Sequence, residues 1–356
     1  HLNSGVETIG GLVGDFSAHL TTGEDLRVGA VVVATGAAPY QPVEFDYHKD
    51  PRVITNLELE KYIQSGNLTA KRVTFISCVG SRQGNAGCSR YCCTSMIHQA
   101  LELRRMGKHV RILSKDIRTY SRNAEELYQE AMKAGVQFFR YPDAPPQDVI
   151  SWQDGQLVFK DEMLAQQLRI ATDLLVLVVG LVPVEDNLSD QLKLSRSEDG
   201  FYMELHPKLG PVETAIQGVY LAGTSQGATD IRESIAGALA TAGNAGALLA
   251  HGEIEKEPLT AKLIPELCVG CMRCVRVCPY NAIEQVGAPG KGGTVRILEA
   301  ACMGCGTCAA ECNFHAIEMP YFTRDQILAQ VDAALAQNPA DKCLVFTCNW
   351  CSYAGA

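Results

Sequence analysis

A chain of 356 residues, 47% hydrophobic and 20% charged, has the make-up of two or three ordinary globular domains, each able to bury a core. Its net charge of −9, with Lys and Arg scattered, excludes a nucleic-acid footprint. The longest apolar run, Leu174 to Val184, is broken by Gly180 and Pro183 and is too short to span a bilayer. Fifteen cysteines, mostly in cluster-like spacings, imply a reducing compartment and hence the cytoplasm. No signal peptide is visible. The chain starts at His1 and stops abruptly after Cys351, so both ends read as cut and missing targeting signals weigh little.

In chain order, Val31-Val32-Val33-Ala34-Thr35-Gly36 reads as a buried strand ending in a small-residue turn. A helix follows around Asn56 to Ile63, then a buried strand at Val73 to Ile76. A cysteine-bearing loop leads to a helix from Ser95 to Met106, ended by Gly107, and to a strand at Val110 to Leu113. Strand, loop, helix and strand make a βαβ unit of a doubly wound α/β domain. A helix at Ala124 to Ala134, a strand at Val136 to Phe139 and a hairpin around Asp154-Gly155 come next. Leu174 to Val179 has the two-sided hydrophobicity of a central parallel strand. Gly218 to Gly223 is another strand with a small-residue end, feeding an Ala- and Gly-dense helix from Asp230 to Ala250. After a charged linker at Glu253 to Pro258, a capping box at Thr323 to Gln326 opens an amphipathic packing helix with Ile327, Leu328, Val331 and Leu335 on one face.

The strongest chemical signal lies between linker and helix. Cys268, Cys271, Cys274 and Cys278 follow C-x2-C-x2-C-x3-C with Pro279 next, and Cys302, Cys305, Cys308 and Cys312 repeat the spacing. A tight loop supplies three converging thiolates and the other run supplies the fourth. The predicted ligand sets are therefore Cys268, Cys271, Cys274 and Cys312 for one 4Fe–4S cluster, and Cys302, Cys305, Cys308 and Cys278 for the other. Zinc sites or disulfides are the bland alternative, but zinc motifs use two C-x2-C pairs rather than repeated runs of four.

The Ala34-Thr35-Gly36 turn and the Gly218 to Gly223 strand, roughly 190 residues apart, resemble the paired motifs of two-dinucleotide-binding flavoproteins such as thioredoxin reductase. The resemblance implies FAD, with Thr35, Gly36, Gly223, Thr224, Asp230 and Ile231 beside it. In that family a helix N-terminus faces the flavin's electron-rich edge. Thr224 stands where the family usually has an acidic residue. A G-x-G-x-x-G for the pyrophosphate is absent from the chain. Where a nicotinamide fingerprint should follow Phe75-Ile76-Ser77, Cys78, Cys88, Cys92 and Cys93 replace the glycines. These four could ligate a third 4Fe–4S cluster, form a redox disulfide between Cys88 and Cys92, or be inert. A cluster suits the adjacent Cys92 and Cys93 best, and a helix N-terminus would favour their thiolates.

The C-x-G-S-R…C-S-R-x-C-C loop, Asp116 to Tyr120, His206-Pro207-Lys208-Leu209 and Gly218 to Asp230, followed by the paired cysteine runs, resemble the flavin and iron–sulfur subunit (the A subunit) of heterodisulfide reductase. The tail from Phe346 to Ala356 resembles the opening of the 2Fe–2S delta subunit of methyl-viologen-reducing hydrogenase, with Cys348 and Cys351 as its first ligands. Cys343 matches no ligand position and reads as structural. The resemblance implies a thioredoxin-reductase-like α/β flavoprotein fold followed by an α+β two-cluster ferredoxin domain. The implied domains are a first FAD-binding segment (1–70), a degenerate nicotinamide-type domain with the four-cysteine loop (71–184), a returning FAD segment (185–252), the ferredoxin domain (259–322), a linker helix (323–340) and the start of a delta-like domain (341–356). It further implies an oxidoreductase that passes, or bifurcates, electrons among FAD, clusters and partners. Those partners are other heterodisulfide-reductase-like subunits, a hydrogenase or dehydrogenase input subunit, and ferredoxin. An NAD(P)H-dependent flavoprotein with a fused ferredoxin domain, and a flavin-free wiring module, are the competing readings.

Overall fold

In the computed structural model the described residues are 1–256, 258–288 and 292–347. They divide into two units, His1–Gly252 and Glu253–Ala356.

The first unit is organised by a five-stranded parallel sheet in which Leu174–Val179 lies between Val53–Thr55 and Arg72–Val79, followed outward by His109–Ser114 and Gln137–Arg140. Every residue of Leu174–Val179 is buried, as a strand covered on both faces must be. Alternate residues serve opposite layers. Leu174, Val176 and Val178 pack with Val73, Phe75 and Met96, Ile97 and Ala100 of the helix Tyr91–Arg105. Leu175, Leu177 and Val179 pack with Trp152, Leu157 and Phe159 of an antiparallel meander, Ile150–Gln153, Gln156–Asp161 and Gln166–Ala171. The predicted Asp154-Gly155 turn has both residues at positive φ, 50° and 76°, the geometry a two-residue hairpin needs.

A second, smaller parallel pair joins Val31–Val33 to Val219–Leu221, bringing together segments far apart in sequence. Everything from Val53 to Val179 is thus inserted between two strands of one neighbouring sheet, a split arrangement of the kind expected of a two-dinucleotide-binding chain. An N-terminal antiparallel sheet, Val6–Leu12, Asp15–Leu20 and Asp25–Val28, was not expected from the sequence. It seats Phe16, fully buried, against Val33, Val219 and Leu221. The Ala/Gly-rich helix runs Ile231–His251, capped by Asp230 through a box with Glu233.

Two expectations change. The helix predicted from Ser95 begins at Tyr91, so Cys92 and Cys93 lie in its first turn rather than in the loop. The second unit's helix Arg324–Leu335 has its predicted capping box, yet none of its residues is fully buried among the described residues, and Leu328 is 47% exposed. The rest of that unit pairs Ile283–Val286 with Thr294–Ile297 and Lys262–Leu263 with Ile317–Glu318 around a small core of cysteines, Ala282, Ile283 and Val295. Among the described residues, no helix is long and apolar enough to cross a membrane.

Asp173 locks the entry to the central strands. Its carboxylate accepts the backbone N–H groups of Lys71 and Arg72 and the Arg72 guanidinium, and the Arg72 contact holds its pKa down at about 2 from the ordinary 3.8. The folded value is the lower one, so the stabilisation is complete above about pH 4 and disappears as pH falls through about 2. Asp173→Asn is expected to destabilise the unit by about 1 kcal/mol at pH 7, since the carboxylate is partly exposed. Hydrogen exchange in Leu174–Val179 should show that loss at pH 7 and a smaller one at pH 3.

Candidate metal centres and flavin-facing turns

The paired cysteine runs fold as two matching halves. Gly270 and Gly304, Met272 and Gly306, and Asn281 and His315 each sit 34 residues apart, and all six have φ between 52° and 76°. Left-handed residues at these places coil the backbone around one point, so cysteines three apart turn the same way. Only glycine suits position 270, where a Cβ would meet the carbonyl oxygen of Gly293 at 2.2 Å. Short helices, Arg273–Val277 and Thr307–Ala310, then carry each chain away.

The lining of the two pockets is crossed between the runs in keeping with this symmetry. One pocket, with about 330 Å³ of free space, is lined by Cys302, Cys305, Cys308 and, from the other run, Cys278. The other, of about 360 Å³, is lined by Cys268, Cys271, Cys274 and Cys312. Backbone N–H groups point at the sulfurs: Ala282 N–H to Cys278 Sγ at 3.4 Å, its counterpart Ala316 N–H to Cys312 Sγ at 3.3 Å, and Ala261 N–H to Cys302 Sγ at 3.5 Å. Burial pushes the Cys308 thiol up to about 12, and the charges of Cys302, Cys305 and Cys278 add to the shift. None of the thirteen described cysteines is in a disulfide. Nor, among the described residues, do three His, Cys, Asp or Glu side chains close tightly enough to share a single metal ion.

The four-cysteine loop forms at the carboxyl ends of the parallel strands, where α/β sheets place their ligands. Cys78 ends Arg72–Val79 at a φ of 61°, and Arg82 and Arg90 are also left-handed. Gln83 Nε2 donates to Cys78 O at 2.9 Å and Arg82 N–H to Gly87 O at 3.0 Å, holding the turn. Gly180 closes it from the neighbouring strand, since a Cβ there would meet Gly80 O, Ser81 and Ser89 within 2.9 Å. The four sulfurs influence one another. Cys92 is raised well above its ordinary value by its hydrogen bond to Cys93 and by burial, with the charges of Cys93, Cys78 and Cys88 adding. That bond, assisted by Arg118 N–H, brings Cys93 down to about 7. Cys78, Cys92 and Cys93 are buried, while Cys88 is partly exposed. The Cys88–Cys92 disulfide is not formed.

Because Val31–Val33 and Val219–Leu221 run parallel, the Ala34-Thr35-Gly36 and Ala222-Gly223-Thr224 turns emerge at one end of their sheet. A Cβ on Gly36 would lie 3.7 Å from Thr224 Oγ1. Gly36 and Gly223 have φ of 80° and 67°, Thr35 is exposed, and Ile231 is 80% exposed on the first turn of the long helix. Two left-handed glycines and two threonines thus meet at this end of the sheet, where a flat ligand could lie against backbone. Asp230 is occupied otherwise: its carboxylate caps the helix at Glu233 N–H, 2.8 Å, and accepts the Ser121 hydroxyl. The helix start is also tied to the cysteine loop, through an Arg90–Glu233 ion pair with Arg90 stacked 5.0 Å above the Tyr120 ring. The sequence gives no sign of Lys115 and Tyr141 around the cysteines, whereas Arg82 and Arg90 stand out in the C-x-G-S-R…C-S-R-x-C-C motif and Asp116 to Tyr120 as a second segment.

Cys348 and Cys351 lie outside the described residues. Cys343, expected to be structural, is exposed.

If ligation crosses, Cys278→Ala removes the cluster of Cys302, Cys305 and Cys308 and spares the other, while Cys312→Ala does the reverse. Each variant should lose about one cluster of iron, and paramagnetic resonance of the two should show complementary spectra. Pairing within each run predicts the opposite assignment.

Comparison with known proteins agrees with this geometry. Residues 267–316 match the family described as the 4Fe–4S dicluster domain. The chain is 39% identical over 343 residues to the A subunit of the H2:CoB-CoM heterodisulfide,ferredoxin reductase of Methanothermobacter marburgensis, covering 89% of this chain and 51% of that protein. It is 37% identical over 358 residues to the A subunit of the ferredoxin:CoB-CoM heterodisulfide reductase of Methanosarcina mazei, covering 93% and 44%. The chain thus spans about half the length of the curated relatives it matches. Among solved structures it is similar to the thioredoxin reductases of T. acidophilum, at 19% identity, TM-score 0.46 and coverage of 71% and 74%, and Lactococcus lactis, at 21%, 0.44, and 70% and 72%. Over the half of their length that it spans, the chain is thus similar to heterodisulfide reductase A subunits.

Proposed function

We propose that the chain is the flavin- and iron–sulfur-bearing electron-transfer part of a heterodisulfide-reductase-type oxidoreductase. The observation that carries this reading is the meeting of Cys78, Cys88, Cys92 and Cys93 at the carboxyl ends of the parallel strands, with Arg90 linking them to the Ile231–His251 helix. When bound, FAD exchanges electron pairs and 4Fe–4S clusters pass single electrons.

The chain's own residues supply holding, insulation and spacing. Cys78, Cys88, Cys92 and Cys93 would hold a third cluster where nicotinamide would otherwise lie, and their side chains fill the space a pyrophosphate needs. Burial of three of the four keeps water from the sulfurs. Thr35, Gly36, Gly223, Thr224 and Ile231 would line the flavin, with Asp230 holding the helix start in place. Cys268, Cys271, Cys274 and Cys312, and Cys302, Cys305, Cys308 and Cys278, would hold the two outer clusters.

The relatives' names speak of heterodisulfide and ferredoxin reduction. They support other subunits of such a complex, a hydrogenase or dehydrogenase input subunit, and ferredoxin as partners, while the many free cysteines support a reducing compartment such as the cytoplasm. The lost nicotinamide glycines argue against the NAD(P)H-dependent reading.

Protein purified without oxygen should carry about one flavin per chain, and NADH alone should leave that flavin oxidised over minutes. Rapid bleaching by NADH would support the nicotinamide-dependent reading. Full iron with no flavin would support the wiring module.

A further inference from the structure

The Cys78 side of the four-cysteine loop carries groups that the reading above does not use. Ser77 is fully buried, and its hydroxyl donates to Cys78 Sγ at 3.6 Å, within reach for a sulfur acceptor. Tyr141 is fully buried as well; its hydroxyl donates to Ser77 O at 2.8 Å and also lies against the Cys78 sulfur. Each hydroxyl has one proton to give: that of Tyr141 goes to the Ser77 carbonyl and that of Ser77 to the sulfur. Lys115, with a side chain only 3% exposed, donates to Arg82 O at 3.0 Å, and both cations act on Cys78. The anion paired with Lys115, Asp143, is 77% exposed and screened by solvent, so the cations add a small stabilisation of negative charge at the sulfur, after burial and the charge of Cys93.

We propose that Ser77 sets the reduction potential of the cluster held by this loop by hydrogen bonding to one corner of it through Cys78, and that Tyr141 is a positioning residue that holds Ser77 there through its carbonyl. The inference rests on the third-cluster reading. Its physical basis is charge. A cluster that gains an electron places more negative charge on its thiolate sulfurs, so a donor aimed at one sulfur stabilises the reduced form more than the oxidised form. The potential therefore rises. A buried donor acts more strongly than a solvated one, because water cannot replace it. The Lys115 charge pushes in the same direction. The ferredoxin-type pockets differ in burial: Cys271 and Cys305 are exposed there, backbone N–H groups of Ala261, Ala282 and Ala316 reach other sulfurs, and the Thr307 hydroxyl, 3.4 Å from Cys305 Sγ, sits on an exposed residue. Side-chain hydroxyls are the part of this arrangement that substitution can remove without moving the main chain.

The test uses the 356-residue chain reconstituted anaerobically with iron and sulfide, followed by paramagnetic resonance during potentiometric titration. Ser77→Ala is expected to lower the midpoint of the third signal, so that at the wild-type midpoint the reduced-to-oxidised ratio falls about tenfold, which is about 59 mV for one electron. The two ferredoxin-type signals should not move, and iron content should stay at the wild-type level. Tyr141→Phe, the alternative should Ser77→Ala misfold, should shift the same signal in the same direction. A third signal present at its wild-type midpoint in both variants overturns the inference and leaves the cluster assignment standing. Unchanged iron in Cys92→Ala, by contrast, removes the third cluster and the inference with it.

Discussion

Four thiols must be held against one another while the backbone around them bends in ways that side chains resist, and the first unit is arranged around that constraint. Cys78, Arg82 and Arg90 all adopt left-handed φ values. Such conformations cost roughly 1–2 kcal/mol each for a residue with a Cβ. They persist because the ends of the loop are fixed elsewhere: Cys78 by the almost wholly buried Arg72–Val79 strand, Cys92 and Cys93 by the first turn of Tyr91–Arg105. Between those anchors, Gln83 and Lys115 donate to Cys78 O and Arg82 O, and the Ser89 hydroxyl oxygen accepts from Leu181 N–H. A glycine-rich nucleotide loop needs no such support. The presence of rigid support where glycines are missing points to a group that demands fixed ligands.

The second unit meets the same demand differently. It is small, and its core is made largely of the cysteines themselves with Ala282, Ile283, Val295 and Ile317. Fewer apolar side chains hold it, so repeated left-handed positions and backbone N–H contacts to sulfur set the geometry. Each half lends its last cysteine to the other pocket, which ties the halves together. Metal binding and folding are coupled in such an arrangement.

Much of this was legible in the sequence. Leu174 to Val179 announced a two-sided strand because every residue is apolar, and the paired cysteine runs, in the spacing of a two-cluster ferredoxin, announced the mixed lining of the two pockets. Other features left little trace. The N-terminal sheet mixes Gly10, Gly11, Thr8 and Asp15 with few β-branched residues and packs only through Phe16 and its neighbours, so periodicity alone did not reveal it. The start of the Tyr91–Arg105 helix was missed because Arg90 enters it with a left-handed φ and no capping side chain. Lys115 and Tyr141 come from the ends of two other strands and have no signature in sequence, since only the parallel register brings them beside Ser77 and Cys78.

The most direct test of the central claim is anomalous diffraction at the iron absorption edge from crystals of anaerobically prepared protein. Three iron peaks are predicted, one enclosed by Cys78, Cys88, Cys92 and Cys93 and one in each of the crossed pockets. Two peaks only, with the four-cysteine loop empty of iron, would contradict it.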